Sequence, residues 1–323
     1  MARMDSLTPS LDLPPFDRRA WPEGGTLDYW TAPDGWPIRR YRLGTGTRGH
    51  MLLIGGRGDM IEKYLEVIAH WAEQGWAVTS FDWRGQGGSG RMTDDPLAGH
   101  IANFATWIAD LGALAADWRA DGSDGPRVML GHSMGGHLLL RAMAEGVVKP
   151  QAAVLVAPML GLRSAPLPGR LAEGVARLMC RIGRAERMAW TQQEETERQR
   201  AVRERRLTHS PERYADELWW REYNRAIALG PPSWAWVAQA FASTRALAES
   251  PALARLEVPM LVLATTADRL VSTAAIRRIV TRLPTARLHV YGKEAAHEIL
   301  RELDPVRLDA LRRIDAFLAE TAP

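Results

Sequence analysis

Hydrophobic positions along this chain switch repeatedly between two periods. Residues 27–31 and 38–43 flank Pro33-Asp34-Gly35, a turn signal between two β-rich runs, and predict an antiparallel hairpin. His50-Met51-Leu52-Leu53-Ile54 follows as a short buried strand and ends in Gly55-Gly56-Arg57-Gly58. Over residues 62–74, Leu65, Ile68, Ala69 and Ala72 fall at helical spacing, with Gly75 where a helix stop is expected. The strand-then-helix unit recurs as 77–81 with 101–118 and as 128–130 with 138–144, and 152–156 adds another strand. Such alternation predicts an α/β fold with a mostly parallel sheet covered on both faces.

The alternation lapses over residues 161–242, a stretch rich in Arg, Glu and Trp with no strand pattern, and resumes with strands at 260–264 and 288–291 and an amphipathic helix at 306–318. The expected organisation is an N-terminal arm (1–20), a first core segment (21–160), a helical cap insertion (161–242) and a second core segment (243–323). A length of 323 residues suits one α/β domain carrying such an insertion. The arm, with three prolines and no apolar block, is expected to be mobile to about Asp17 and reads as neither a signal peptide nor an anchor.

With 46% hydrophobic and 24% charged residues the composition is that of a globular protein with a sizeable core. No apolar run approaches the roughly 18 residues of a spanning helix. Forty-one basic against 38 acidic residues, a net charge of +3, argues against an electrostatic nucleic-acid binder. Cys180 is the only cysteine, so an intramolecular disulfide and a Cys-rich zinc site are excluded, and a cytoplasmic location is expected. Lysine occurs only at 63, 149 and 293, leaving arginine as nearly all the positive charge. Thirteen Trp against five Phe and six Tyr favours surfaces where an apolar body meets a polar edge.

Gly131-His132-Ser133-Met134-Gly135-Gly136 is Gly-x-Ser-x-Gly set between a strand and a helical run, the context in which a sharp turn lifts a serine hydroxyl above the sheet edge. Ser133 is therefore the candidate nucleophile rather than a helix-capping serine. It needs a base oriented by a carboxylate, and in this context the acid and then the histidine follow on loops after later strands. Asp268, after 260–264, and His297, after 288–291, stand in those places; His209, in the insertion, is the other histidine able to serve. The amides of Met134, next to the nucleophile, and of Arg57, in the first glycine-rich loop, are the candidate oxyanion donors. This chemistry requires neither metal nor cofactor. Gly85-Gln86-Gly87-Gly88-Ser89-Gly90 misses the dinucleotide-binding spacing, and Arg301 stands where His297-Glu298 would need a second zinc-binding histidine.

The elbow, together with Phe81-Asp82-Trp83-Arg84-Gly85-Gln86-Gly87-Gly88-Ser89-Gly90-Arg91, Lys63-Tyr64 and Ala296-His297-Glu298-Ile299, resembles the bacterial lysophospholipase and monoacylglycerol lipase group of α/β-hydrolases over roughly residues 30 to 320. Leu207-Thr208-His209-Ser210 and Gly230-Pro231-Pro232-Ser233-Trp234 resemble the lysophospholipase branch, while Gly55 stands where monoacylglycerol lipases usually have histidine. The resemblance implies a Ser133, Asp268, His297 triad and a cap that shapes an acyl site. It also implies hydrolysis of a single-chain lipid ester, a lysophospholipid first, a monoacylglycerol or small ester second. A silent ligand-binding relative would be expected to have lost a triad member. Asp82 and Arg84 border the site in the resemblance, yet an aspartate bonded to loop amides and paired with an arginine reads the same way.

Within the insertion, Leu171, Val175, Leu178, Met179 and Ile182 share one side of a helix, and Arg170, Arg177, Arg181 and Arg184 another. Such a helix packs on its own core or lies on an anionic membrane surface, which would put the enzyme peripherally at the inner face of the membrane. Trp234 and Trp236, as acyl-site walls, and Arg177 and Arg181, as head-group contacts, are the candidate substrate-binding residues.

Overall fold

The computed structural model describes residues 16–120, 124–164, 167–190 and 197–323. The first 15 residues of the expected arm lie outside them. Phe16 and Trp21 pack at the edge of the core, and Arg18 and Arg19 both bond to Asp216 in the insertion.

Eight strands form one sheet: β1 (Thr26–Thr31), β2 (Pro37–Leu43), β3 (Gly49–Ile54), β4 (Trp76–Phe81), β5 (Arg127–His132), β6 (Ala152–Val156), β7 (Met260–Thr265) and β8 (Ala286–Tyr291). Their order is β1-β2-β4-β3-β5-β6-β7-β8. The hairpin β1-β2 is antiparallel and β2 joins β4 antiparallel; all later pairs are parallel. The helices are α1 (Leu65–Glu73), α2 (Phe104–Arg119), α3 (Met134–Ala144), α4 (Gly169–Met179), α5 (Glu197–Leu207), α6 (Pro211–Tyr223), α7 (Trp234–Glu249), α8 (Thr273–Val280) and α9 (Asp304–Thr321).

Alternation along the central strands divides the core in two. Leu52 and Ile54 of β3 join the cluster under α2, α3 and α8, while Met51 and Leu53 join the cluster under α1 and α9. A sheet buried on both faces is what the continuous apolar runs predict. The helix expected over 62–74 begins instead with a 3₁₀ turn, Ile61–Tyr64, and α8 has no counterpart in the sequence reading.

Between β6 and β7 the described elements are helices, α4 to α7 with short turns. Helix α7 runs unbroken past Ala242, the expected end of the insertion. Arg187, Ala189 and Ala185 exchange backbone hydrogen bonds with residues 232–235, and Gly99 bonds with Pro231, which ties the insertion to the loops above the strand ends. No described helix is long and apolar enough to cross a membrane.

Candidate active site

The elbow forms because β5 must turn into α3 within one residue. Ser133 takes φ 51° and ψ −116°, a left-handed conformation that no strand or helix would impose on a serine. The turn closes only because its neighbours lack side chains: a Cβ on Gly131 would stand 2.8 Å from the backbone of Gly135. Ser133 N–H bonds to the carbonyl of Val156, fixing the elbow against β6.

The loops after β7 and β8 bring the other two groups. His297 Nε2 lies 2.9 Å from Ser133 Oγ, and His297 Nδ1 lies 2.7 Å from Asp268 Oδ2. The other oxygen of Asp268 accepts the amides of Leu270 and Val271 at 2.8 and 2.9 Å, so the carboxylate cannot swing. Burial opposes charge on both partners. The His297 imidazolium and the two amides nonetheless hold the Asp268 pKa below its ordinary value, and Asp268, with Glu298 and Asp59 behind it, raises that of His297. An imidazole so placed is in the tautomer, and at the distance, needed to take a proton from Ser133.

The glycine loop after β3 abuts Ser133: a Cβ on Gly56 would lie 3.0 Å from Ser133 Cβ. Gly56 N–H is taken by Asp59 Oδ2 at 2.6 Å and Gly58 N–H by Gln86 Oε1 at 2.6 Å, which brackets the Arg57 amide. Met134 N–H, first in α3, has no carbonyl one turn earlier to accept it. Ser133, His297, Asp268 and the backbone of Arg57 and Met134 thus meet at one sheet edge.

The remaining expected residues divide. Trp236 is buried against Phe104, with the Arg57 guanidinium 5.4 Å above its ring. Trp234 begins α7 half-buried, and Arg177 and Arg181 are exposed on and after α4. His209, the alternative base, pairs with Glu302 at 3.0 Å and is not joined to Ser133. Asp82 does accept loop amides, from Ile61 and Gly88, but its arginine is Arg39; Arg84 pairs with Asp110 and Asp34 instead. The glycine run after Asp82 serves that packing, since Gly88 N–H and Ser89 Oγ both bond back to Asp82.

The apolar stripe of α4 is where the structure departs most from a helix packed on its own core. Leu171, Val175, Leu178 and Ile182 are 41 to 59% exposed, and the helix meets α7 through Ala176 and through Glu173, which pairs with Arg245. Periodicity gives the stripe but not the side on which the rest of the molecule lies.

A buried ion network beside His297 was not anticipated from the sequence. Lys63 Nζ reaches Asp59 at 2.5 Å, Glu298 at 2.6 Å and Glu217 of α6 at 3.2 Å, so one ammonium joins the glycine loop, the histidine loop and the insertion. Asp59 also accepts Tyr64 OH at 2.5 Å and approaches His132 Nδ1 at 3.1 Å, and the His132 ring packs on His297. Arg301 closes the group on Glu217 and Glu298. Its signals in the sequence are a lysine at 63, where arginine supplies almost every other positive charge, and the presence of Lys63, Tyr64, His132 and Glu298 in the motifs that carry the family resemblance.

Comparison with known proteins bears on this geometry. The family described as serine aminopeptidase, S33, matches residues 45–304. The chain is 31% identical over 328 residues to lysophospholipase L2 of Escherichia coli (strain K12), covering 94% of this chain and 93% of that protein. It is 28% identical to the probable lysophospholipase L2 of Haemophilus influenzae, covering 85% of each. Among solved structures, a soluble variant of the monoglyceride lipase of Saccharomyces cerevisiae superposes with a TM-score of 0.73 at 18% identity, over 96% of this chain and 99% of that one.

Proposed function

Because this chain belongs to the α/β-hydrolase family of lysophospholipases and monoacylglycerol lipases and is a carboxylic ester hydrolase, we propose that it cleaves the acyl ester of a lysophospholipid through an acyl-enzyme on Ser133. The observation that carries the mechanism is the continuous hydrogen-bonded relay from Asp268 through His297 to Ser133. Ser133 Oγ attacks the acyl carbonyl carbon as His297 Nε2 takes the hydroxyl proton, and Asp268 stabilises the imidazolium. The amides of Arg57 and Met134 hold the oxyanion. The intermediate collapses, the glycerol oxygen leaves with the proton from His297, and water, deprotonated by the same imidazole, then releases the fatty acid and restores Ser133.

Likeness to the lysophospholipases over nearly the whole chain supports the lysophospholipid as substrate, and the shape shared with the yeast enzyme favours a monoacylglycerol as the second reading. Hydrolysis of lysophospholipids, monoacylglycerols and short nitrophenyl esters by the purified protein separates them. We expect the highest kcat/KM on a lysophospholipid; a higher value on the monoacylglycerol of the same acyl chain selects the second reading.

The exposed stripe of α4 supports a peripheral docking role for the insertion. Leu171, Val175, Leu178 and Ile182 are flanked by the exposed Arg170, Arg177, Arg181 and Arg184, a combination complementary to an anionic lipid surface. Docking there brings the insertion, and the site beneath it, to the surface in which a single-chain lipid resides.

A further inference from the structure

Arg57 contributes its backbone to the loop beside Ser133, but its side chain has no role in ester cleavage. The guanidinium donates Nη2 to the carbonyl of Gly230 at 2.5 Å and lies over Trp236. It presses on Gly99, where an added Cβ would come 2.5 Å from Nη2. Its Nε is buried with no hydrogen-bond partner, and no carboxylate among the described residues pairs with it. Its charged neighbours are cations: burial first, then Arg203 and Arg221, push its pKa down to about 9.

The nearby carboxylates are already committed. Arg221 of α6 pairs with Glu217 at 2.7 Å, but Glu217 also serves Lys63, Arg301 and Arg203. Arg221 Nη2 points at the carbonyl of Gly58 at 3.5 Å, and its Nε is likewise buried and unbonded. Among the described residues, four cations (Arg57, Lys63, Arg221, Arg301) therefore face three carboxylates (Asp59, Glu217, Glu298) behind the glycine loop. Buried charge without a counter-ion is costly, and an anion that accepts from a guanidinium relieves that cost. Arg57, which follows the glycine packed against Ser133, is the one of these four without a carboxylate among the described residues.

Resting on the lysophospholipid reading above, we propose that the Arg57 guanidinium, backed by Arg221, binds the phosphate of the substrate head group and selects phosphate-bearing monoacyl lipids over neutral ones. A three-carbon glycerol links that phosphate to the ester. One residue then holds both ends of the reacting unit, the oxyanion by its amide and the phosphate by its side chain.

The test measures inhibition of nitrophenyl ester hydrolysis by sn-glycerol 3-phosphate, inorganic phosphate and glycerol at constant ionic strength. It also measures the kcat/KM ratio of a lysophosphatidate to the monoacylglycerol of the same acyl chain in mixed micelles. We expect glycerol 3-phosphate to inhibit competitively and about tenfold or more better than glycerol, the order of one charge-assisted hydrogen bond. Arg57→Met should abolish that difference and lower the substrate ratio about tenfold, with Arg57→Lys in between. Should Arg57→Met not fold, Arg221→Gln must shift both readouts in the same direction by a smaller factor. Equal losses on both lipids would mean that the side chain only packs the loop. Inhibition by inorganic phosphate as strong as by glycerol 3-phosphate would make this a free-anion site, and either result overturns the proposal. If the wild type prefers the monoacylglycerol yet keeps an Arg57-dependent inhibition by glycerol 3-phosphate, the substrate reading fails and the anion site stands. Strong lysophospholipid hydrolysis without that inhibition is the reverse case.

Discussion

Helices α9 and α4 both carry apolar stripes, the one on α4 the more sharply segregated, and use them in opposite ways. In α9, Ala310, Leu311, Ile314 and Leu318 lie buried against β6 and β7, and the polar face meets water. In α4, Leu171, Val175 and Leu178 meet water, while the buried positions are Glu173 and Ala176. An amphipathic pattern therefore states that one face of a helix seeks an apolar medium, but the medium can be the protein's own core or something outside it. Beside the sheet the first is taken, because α9 lies against β6 and β7 with the apolar side chains of α1 in the same cluster. In the insertion, α4 has a second option.

The largest effects belong to the body of the fold, which holds the three residues of the proposed relay. Ser133→Ala should lower nitrophenyl ester turnover on the order of 10⁴-fold or more while circular dichroism stays that of the wild type. A variant that keeps most of its turnover ends the mechanism proposed above. His297→Ala should fall nearly as far, Asp268→Asn somewhat less, and the Ser133→Ala, His297→Ala double variant no further than either. If His209→Ala were the damaging change and His297→Ala mild, the base would be misassigned. Because Asp268 raises the pKa of His297 and the base must be neutral to accept a proton, kcat/KM should climb with pH through a midpoint above the ordinary 6.5. A profile flat from about pH 5 to 9 contradicts a histidine base.

The stripes themselves can be compared directly by thermal and urea unfolding. Leu311→Ala, at a residue 1% exposed, should cost about 2–5 kcal/mol, and Leu178→Ala, at one 56% exposed, should stay within about 0.5 kcal/mol. Comparable costs would mean that α4 is buried in solution and would remove the contrast. The smallest effect is expected from Arg177→Gln with Arg181→Gln, which should lower turnover on anionic vesicles relative to a soluble ester and weaken co-sedimentation with anionic liposomes. Wild-type binding should itself decline as salt rises. An unchanged ratio and unchanged, salt-independent binding leave α4 as a solvated face.

What the chain determined by itself is what depends on neighbours in sequence. Strand runs such as 152–156, the hairpin turn at Pro33-Asp34-Gly35 and the Ser133 elbow are set by local sterics and by periods of two and 3.6, so each could be read before any contact was known. Chain order then put Asp268 and His297 forward as candidates, with His209 still open, because a parallel sheet delivers successive loops to one edge. The tertiary structure decided whatever joins distant segments. Asp82 meets Arg39 rather than Arg84, Lys63 gathers carboxylates 4, 154 and 235 positions away, and Arg57 is left without one among the described residues. It also decided which side of α4 faces outward. Side-chain pairing in a core depends on distance in space and on desolvation, and neither leaves a periodic trace along the chain.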